Sequence, residues 1–217
     1  MYEASRNGSS DRLAQASALL NLIRAEDTGM DSAESTKVQK GIFFVLLYAA
    51  LEFTVKSVVS EFLMAIKGEA KRNCDFQIYY LGITLNSEFK SLLMAGDKTV
   101  WQKRASLIES LHSENPAVID ESVFPTNGSN IAYDQLEYIW KVFHLPGQIL
   151  PDGVEIYHLT ELREHRNSIA HGREICSSIG RRFTSDALLK RFGLIELLCG
   201  HILSAFEEAF NEKLYLK

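Results

Sequence analysis

The spacing of apolar residues in the first third of the chain predicts two long helices. The first is capped by Ser10 or Asp11 and runs to about Glu26. Asp31 followed by Glu34 resembles a capping pair for the second helix, which continues to about residue 67. Between residues 42 and 55 the second helix is apolar on nearly all sides, so we expect neighbouring helices to cover it on more than one side.

The rest of the chain is predicted to be helical with an irregular middle. Helical spacing predicts further helices over residues 100–111, from 130 or 133 to 143 and over 155–171. Residues 75–95 are predicted to form a helix or a short extended piece, and we favour the helix. Polar residues, proline and glycine indicate loops over 113–128 and 172–183. Thr184 or Ser185 caps a last helix that reaches about Tyr215. No repeat or composition break indicates a second domain, so we expect one all-α bundle over residues 1–217, built on the helices 33–67 and 184–215.

One arginine lies inside the apolar face of the predicted helix 155–171. At about 100° per residue, this face spans an arc of roughly 140° formed by Ile156, Leu159, Leu162, Ile169 and Ala170. Arg166 falls within the same arc. Burying a guanidinium is costly unless an anion or hydrogen-bond acceptors meet it. This face of the helix therefore points at a buried carboxylate, a partner chain or a substrate phosphate.

Arg163, Asn167 and His171 form a polar row along the edge of that arc, because they are spaced four residues apart. On an ideal helix His171 lies about 140° round the axis from Arg166. The two side chains can meet at one phosphate only through a loosened last turn at Gly172 or through a second copy of the segment. We favour the second copy, assisted by the loosened turn.

A purely structural role for these residues is the alternative. Arg166 would pair with Glu52, the single carboxylate inside the apolar run of the second helix. His171 would only complement the helix dipole at the C-terminal end. Residue types alone favour this interpretation, since an arginine and a histidine five residues apart are common.

The local charge favours an anionic ligand, although the whole chain has a net charge of −5. Between Glu161 and Arg191 there are seven basic and four acidic residues, which gives this segment a net charge of +3. A basic patch beside a histidine is what an anionic polymer requires.

The sequence Arg-Glu-His-Arg-Asn-Ser-Ile-Ala-His-Gly at 163–172 resembles the signature of the HEPN superfamily (higher eukaryotes and prokaryotes nucleotide-binding domains). The RNase branch of that superfamily carries Arg-x4-6-His, usually with Asn, Asp or His after the arginine. Arg166, Asn167 and His171 match this pattern position by position. Leu-Tyr-Ala-Ala-Leu-Glu at 47–52 is similar to an early-helix motif of bacterial HEPN toxins. Residues 127–145 are similar to a segment that precedes the nuclease motif in one bacterial subgroup.

The resemblance implies a HEPN-like bundle that acts as a metal-independent endoribonuclease of toxin or antiphage-defence type. It implies RNA as substrate, a two-fold homodimer with both motifs in an interface cleft, and an antitoxin or other regulatory protein as partner. His171 would act as general acid or base, Arg166 would stabilise the phosphorane, and Asn167 would orient His171 or the phosphate. Arg163 and Arg173 are candidates for contacts with the RNA backbone, with solvated surface charge as an equal alternative. A non-catalytic HEPN-type module that binds a partner protein or a nucleotide is the alternative function.

Motifs for other site chemistries are missing from the sequence. The three cysteines are far apart, and no His-Glu-x-x-His or phosphate-binding glycine loop occurs, so we expect neither a metal nor a cofactor. His165 falls off the apolar arc, and we expect it to be exposed. The apolar run at 41–51 is interrupted by charged residues, and the first thirty residues lack an apolar signal segment. We therefore expect a cytoplasmic protein without a membrane partner.

Overall fold

The computed structural model describes residues 2–29, 32–124 and 130–217, and these residues form helices and loops without a strand. Two short 3₁₀ turns, Asn73–Asp75 and Ile78–Tyr80, lie between the second and third helices. The α-helices in chain order are α1 (Glu3–Glu26), α2 (Glu34–Lys67), α3 (Leu81–Thr84), α4 (Asn86–Leu93), α5 (Val100–Leu111), α6 (Tyr133–Phe143), α7 (Ile156–Ala170), α8 (Cys176–Gly180) and α9 (Ser185–Asn211). The predicted all-α bundle is confirmed.

Helix α2 forms the centre of the bundle, as its all-round apolar sequence predicts. α1, α7, α8 and α9 pack around it, and their buried side chains join one contiguous core. Near one end, the Phe62 ring packs edge-on against Phe143 and Phe206, with ring centroids 5.5 and 5.2 Å apart. By length and composition α2 could cross a membrane, and 56% of its most apolar stretch is buried inside the bundle.

Helix α8 crosses α2 at a distance that only glycine allows. A Cβ on Gly41 would lie 2.2 Å from the carbonyl oxygen of Cys176, and a Cβ on Gly180 would lie 1.9 Å from that of Lys37. Backbone therefore meets backbone on both helices. The crossing anchors the segment that follows α7 against α2, and with it the C-terminal end of α7.

A buried ion pair joins the turn after α1 to the start of α9. The Lys40 ammonium lies 2.7 Å from Asp27 Oδ1 and also donates to the carbonyl of Phe183 at 3.0 Å. The two charged side chains are 2% and 5% exposed. The other Asp27 oxygen accepts from the Ser185 amide at the start of α9, at 2.7 Å. Burial alone would raise the pKa of Asp27, but hydrogen bonds from Lys40, Ser32 and the backbone hold it well below its usual range.

The predicted start of the first helix is wrong. α1 begins at Glu3, well before the predicted caps Ser10 and Asp11. Ser9 is buried inside the helix and accepts a 2.7 Å hydrogen bond from the hydroxyl of Thr54 on α2. Ser5 and Ser9 pack against α2 and so extend the helix toward the N-terminus, which leaves Ser10 and Asp11 as exposed residues inside it. Asp31, the predicted capping residue of α2, lies outside the described residues.

The middle and the end of the chain also differ from the prediction. Residues 75–95 form short separate pieces, while α4 and α5 bury no residue of their own, in keeping with the irregular central insertion. The predicted loop 172–183 contains α8, and the described part of 113–128 contains no helix. α9 is capped by the Thr184 hydroxyl, as predicted, but it ends at Asn211. Lys213 then takes a left-handed conformation (φ 52°), and Tyr215 is fully buried in the core.

Candidate functional site

The guanidinium of Arg166 is held by two asparagines. Its Nη1 donates to the side-chain oxygen of Asn130 at 2.7 Å and to that of Asn167 at 2.8 Å. Asn130 precedes α6, whereas Asn167 follows Arg166 on α7. The arginine is therefore fixed from its own helix and from a segment 36 residues earlier in the chain.

Helix α2 supplies the other two contacts. The Arg166 guanidinium carbon lies 4.7 Å from the centroid of the Tyr48 ring, and Nη2 lies 3.5 Å from Glu52 Oε2. Glu52 also pairs with Lys56 one turn further along α2, at 2.5 Å. The expected approach of Arg166 to Glu52 is thus present in the structure, as a long contact that Glu52 shares with a second cation.

Tyr48 ties α2 to the segment before α6. Its hydroxyl accepts a 2.6 Å hydrogen bond from the backbone N–H of Ile131, the residue after Asn130. Burial, with the nearby Glu52 carboxylate, raises the pKa of Tyr48 to about 12. The phenol consequently stays protonated at neutral pH and acts as a fixed hydrogen-bonding group beneath Arg166.

Arg166 remains open to a ligand. Its side chain is 26% exposed, and that of Glu52 is 25% exposed. A guanidinium has five N–H donors, and the hydrogen bonds that this one makes to the described residues leave from Nη1 alone. Nη2 lies 3.5 Å from Glu52 Oε2, so a phosphate that bonds Nε and Nη2 in the bidentate manner typical of arginine has to displace this long contact.

His171 lies just beyond the last residue of α7 and is exposed. Its backbone N–H still donates to the Asn167 carbonyl at 3.0 Å, and Gly172 then takes φ +66°. His171 itself leaves the helical backbone conformation (φ −96°, ψ 8°), so the last turn loosens at His171 and Gly172. No hydrogen bond or ring contact joins His171 to Arg166 within the described residues, in agreement with their angular separation.

The two arginines predicted to contact RNA flank these residues. Arg163 is half-buried one turn before Asn167, and Arg173 is exposed two residues after His171. Two other members of the basic segment pair with carboxylates, since Arg191 binds Glu161 through two bonds of 2.6 and 2.7 Å and Arg182 pairs with Glu174. Arg163 and Arg173 form no ion pair with the described residues, so their charges remain available on either side of Asn167 and His171.

The predicted apolar face of α7 is only partly correct. Leu159 and Leu162 are buried and Ile169 packs against the core, but Ile156 is 50% exposed and Ala170 is exposed. The two ends of α7 extend past the helices that cover its middle.

The prediction for His165 is wrong. Its ring is half-buried against Phe44 and Phe183, with centroid distances of 4.8 and 5.4 Å. Burial lowers the pKa of His165, so it is neutral at physiological pH and serves as a packing residue. The angular positions on α7 could not predict this contact, because Phe183 lies outside the helix.

The role of Asn130 has no independent signal in the sequence. It lies in a segment distinguished only by the family resemblance, and neither spacing nor charge connects it with Arg166. Tyr48 belongs to the early-helix motif, but its place beneath Arg166 needed the structure. Within the described residues no three His, Cys, Asp or Glu side chains form a group that could hold a metal ion.

The comparisons with known proteins give a family match that covers nearly the whole chain. A sequence model of the RiboL-PSP-HEPN family matches residues 9–212. No curated protein and no solved structure gives a match. Membership of a HEPN family indicates a nuclease-like or RNA-related module. The match spans α1 through α9 and includes Arg166, Asn167 and His171, and we conclude that the chain belongs to the RiboL-PSP-HEPN family.

Proposed function

We propose that the protein is a metal-independent endoribonuclease. The observation that carries the proposal is the placement of Arg166, whose guanidinium is fixed by Asn130, Asn167 and Tyr48 while its side chain stays 26% exposed. A preorganised cation of this kind suits a phosphoryl group that gains charge in the transition state. His171, exposed at the end of the same helix, supplies a group able to move protons near neutral pH.

The chemistry requires no group beyond these side chains and the RNA itself. The ribose 2′-OH attacks the adjacent phosphorus, and the bond from phosphorus to the 5′-oxygen of the next nucleotide breaks. His171 accepts the 2′-OH proton as general base and then donates it to the departing 5′-oxygen as general acid. Arg166 bonds two non-bridging oxygens of the phosphorane, while Asn167 orients the phosphate or the histidine. The products are a 2′,3′-cyclic phosphate and a free 5′-OH.

The proposed site belongs to a homodimer. Arg166 faces α2 and Asn130, whereas His171 lies in solvent about 140° further round α7. A two-fold axis near the α7 C-terminus would bring His171 of one copy to Arg166 of the other. Arg163 and Arg173, on either side of the motif, would then meet the RNA backbone.

A toxin or antiphage-defence role in the cytoplasm follows from this activity, because unregulated cleavage of RNA harms its own cell. An antitoxin or another regulatory protein would hold such an activity in check, and no membrane is required. The non-catalytic alternative, a module that binds a protein or a nucleotide, is favoured by the contact of Arg166 with Glu52.

The test is cleavage of RNA by the purified protein in the presence of EDTA, with the product ends identified. We expect cleavage with cyclic phosphate ends, and a loss of roughly a hundredfold or more for His171→Ala. Arg166→Lys should also lose most activity, since lysine keeps the charge but not the planar fork.

His112→Ala is the matched control. His112 is exposed and follows the last residue of α5, as His171 follows the last residue of α7. Full activity of His171→Ala, or cleavage that stops in EDTA, would refute the assignment. A protein that binds RNA or a nucleotide but cleaves nothing would support the non-catalytic alternative.

A further inference from the structure

An open groove of about 750 Å³ lies at the opposite end of α7 from His171. It is formed by the loop that joins α6 to α7 and by the first residues of both helices. Its lining comprises Tyr133, residues 147–155, Ile156 and Tyr157. Its size is typical of a site for a small planar ligand.

The walls of the groove are apolar and aromatic. Tyr133 is half-buried at the start of α6, while Ile156 and Tyr157 at the start of α7 are 50% and 56% exposed. Exposed aromatic rings beside aliphatic side chains are the surfaces on which unpaired bases stack. The ring of His158 lies against Tyr157, with a centroid distance of 3.9 Å and an angle of 38° between the ring planes.

The charged groups of the groove do not suit a phosphate. They are the carboxylates of Asp152 and Glu155, and Asp152 accepts a 2.9 Å hydrogen bond from the amide of Gln148. Carboxylates repel phosphate oxygens but accept hydrogen bonds from the amino groups of bases. The groove thus fits a nucleobase whose phosphates lie outside it.

A continuous face of α7 leads from this groove to the proposed catalytic residues. Ile156, Arg163 and Asn167 lie within about 40° of one another on the helix, and Ile156 and Asn167 are about 16 Å apart along the axis. The α6 side of the groove also lies close in sequence to the proposed site. Tyr133 is three residues after Asn130, which binds Arg166.

We propose that this groove holds an unpaired base of a single-stranded RNA a few nucleotides from the cleaved bond, and that it prefers amino-bearing bases to uracil. The inference rests on the proposed function. The strand runs along α7 with its backbone at Arg163 and its scissile phosphate at Arg166. Tyr157 stacks on the base, and Asp152 accepts from its amino group.

The experiment measures binding of fluorescent oligonucleotides in the His171→Ala background, where cleavage is blocked. The probes are a single-stranded uridine tract with one guanosine, the same tract without it, and a blunt RNA duplex. Tyr157→Ala should weaken binding of the guanosine-bearing strand about tenfold. The same variant should leave duplex binding unchanged and abolish the preference for guanosine.

Tyr138→Ala is the matched control, since Tyr138 is 59% exposed on α6 and does not line the groove. If Tyr157→Ala and Tyr138→Ala bind the strand equally while the parent protein cleaves RNA, the groove has no role and the proposed function stands. The groove is likewise excluded as a base-binding site if Tyr157→Ala changes only the self-association of the protein. If the parent protein neither binds nor cleaves RNA, the proposed function is refuted, and this inference, which rests on it, is refuted as well.

Discussion

Tyr48 positions Arg166 in two ways at once. Its ring lies beneath the guanidinium, while its hydroxyl accepts from the backbone N–H of Ile131 and so fixes the neighbouring Asn130. Asn130 in turn accepts a hydrogen bond from Arg166. The buried Tyr48 side chain therefore positions the guanidinium directly through its ring and indirectly through Asn130.

Removal of the Tyr48 hydroxyl separates these two contributions. Tyr48→Phe keeps the ring but leaves the N–H of Ile131 buried without its acceptor, which costs roughly 1–3 kcal/mol of unfolding free energy. We expect RNA cleavage to fall further than stability alone explains, because Asn130 is released. Urea unfolding and cleavage assays on the same preparation measure both effects. Tyr79→Phe, at a position 48% exposed, should change neither quantity.

The pair Lys40–Asp27 makes stability depend on pH. The folded-state pKa of Asp27 lies below its unfolded value of about 4. The pair therefore stabilises the fold fully at neutral pH, and this contribution is lost as the pH falls below about 4. Asp27→Asn should cost about 3 kcal/mol at pH 7, because the ammonium of Lys40 stays buried without its counter-charge.

The measurement is urea unfolding of both proteins between pH 7 and pH 3. The wild type should lose stability more steeply than Asp27→Asn over the acid part of this range. Glu207→Gln, which removes the exposed partner of Arg6, should cost less than about 1 kcal/mol. Parallel pH profiles for wild type and Asp27→Asn would contradict the assignment.

At this scale, the charged partner of Arg166 could be predicted and its amide partner could not. Arg166 stood out because a charge inside an apolar face needs a partner, and the single carboxylate in the apolar run of α2 was identified as Glu52. Asn130 could not be identified from charge or hydrophobic periodicity, because an uncharged polar side chain before a helix alters neither. The exposure of His165 was predicted wrongly, because Phe183 reaches it from a loop.

At the scale of elements, the crossing of α8 over α2 holds the segment that follows α7 against the centre of the bundle. Gly41→Ala and Gly180→Ala each place a methyl group within 2.2 Å of a backbone oxygen, so one helix must move. We expect each substitution to cost about 3 kcal/mol or more and to reduce cleavage by displacing His171.

Alanine substitution of Gly193 and Gly200 on α9 should stabilise the fold, in contrast to substitution of Gly41 and Gly180. Nothing lies within 4 Å of a Cβ at either position, and both are inside a helix. Their replacement by alanine should raise the unfolding free energy by roughly 0.5–1 kcal/mol. Thermal unfolding of the four variants measures this contrast, and a uniform loss of stability would disprove it.

The long helices were predictable and the short ones were not. α2, α6, α7 and the start of α9 follow from periodicity and capping, because burial and local preference agree there. α8 was predicted as loop, since five residues carry too little pattern. Its position depends on two glycines whose need for close approach appears only when both helices are in place.

At the scale of the whole molecule, the proposed site depends on two chains. An equimolar mixture of Arg166→Ala and His171→Ala proteins, unfolded and refolded together, should recover RNA cleavage. In the mixed dimer one cleft combines the intact Arg166 of one chain with the intact His171 of the other. Each variant refolded alone should stay inactive. Failure of the mixture to recover activity, with mixed dimers present, would place the site within a single chain.

The position of α2 in the chain has a consequence for synthesis. More than a hundred residues separate its end at Lys67 from the start of α9 at Ser185, which forms one of its main covers. At about 10 residues per second, a ribosome needs on the order of ten seconds to supply them. Until α7 and α8 are made, α1 is the one covering helix already available to shield a helix apolar enough to cross a membrane. The nascent chain therefore depends on α1 or on a chaperone to stay unaggregated until its last helix emerges.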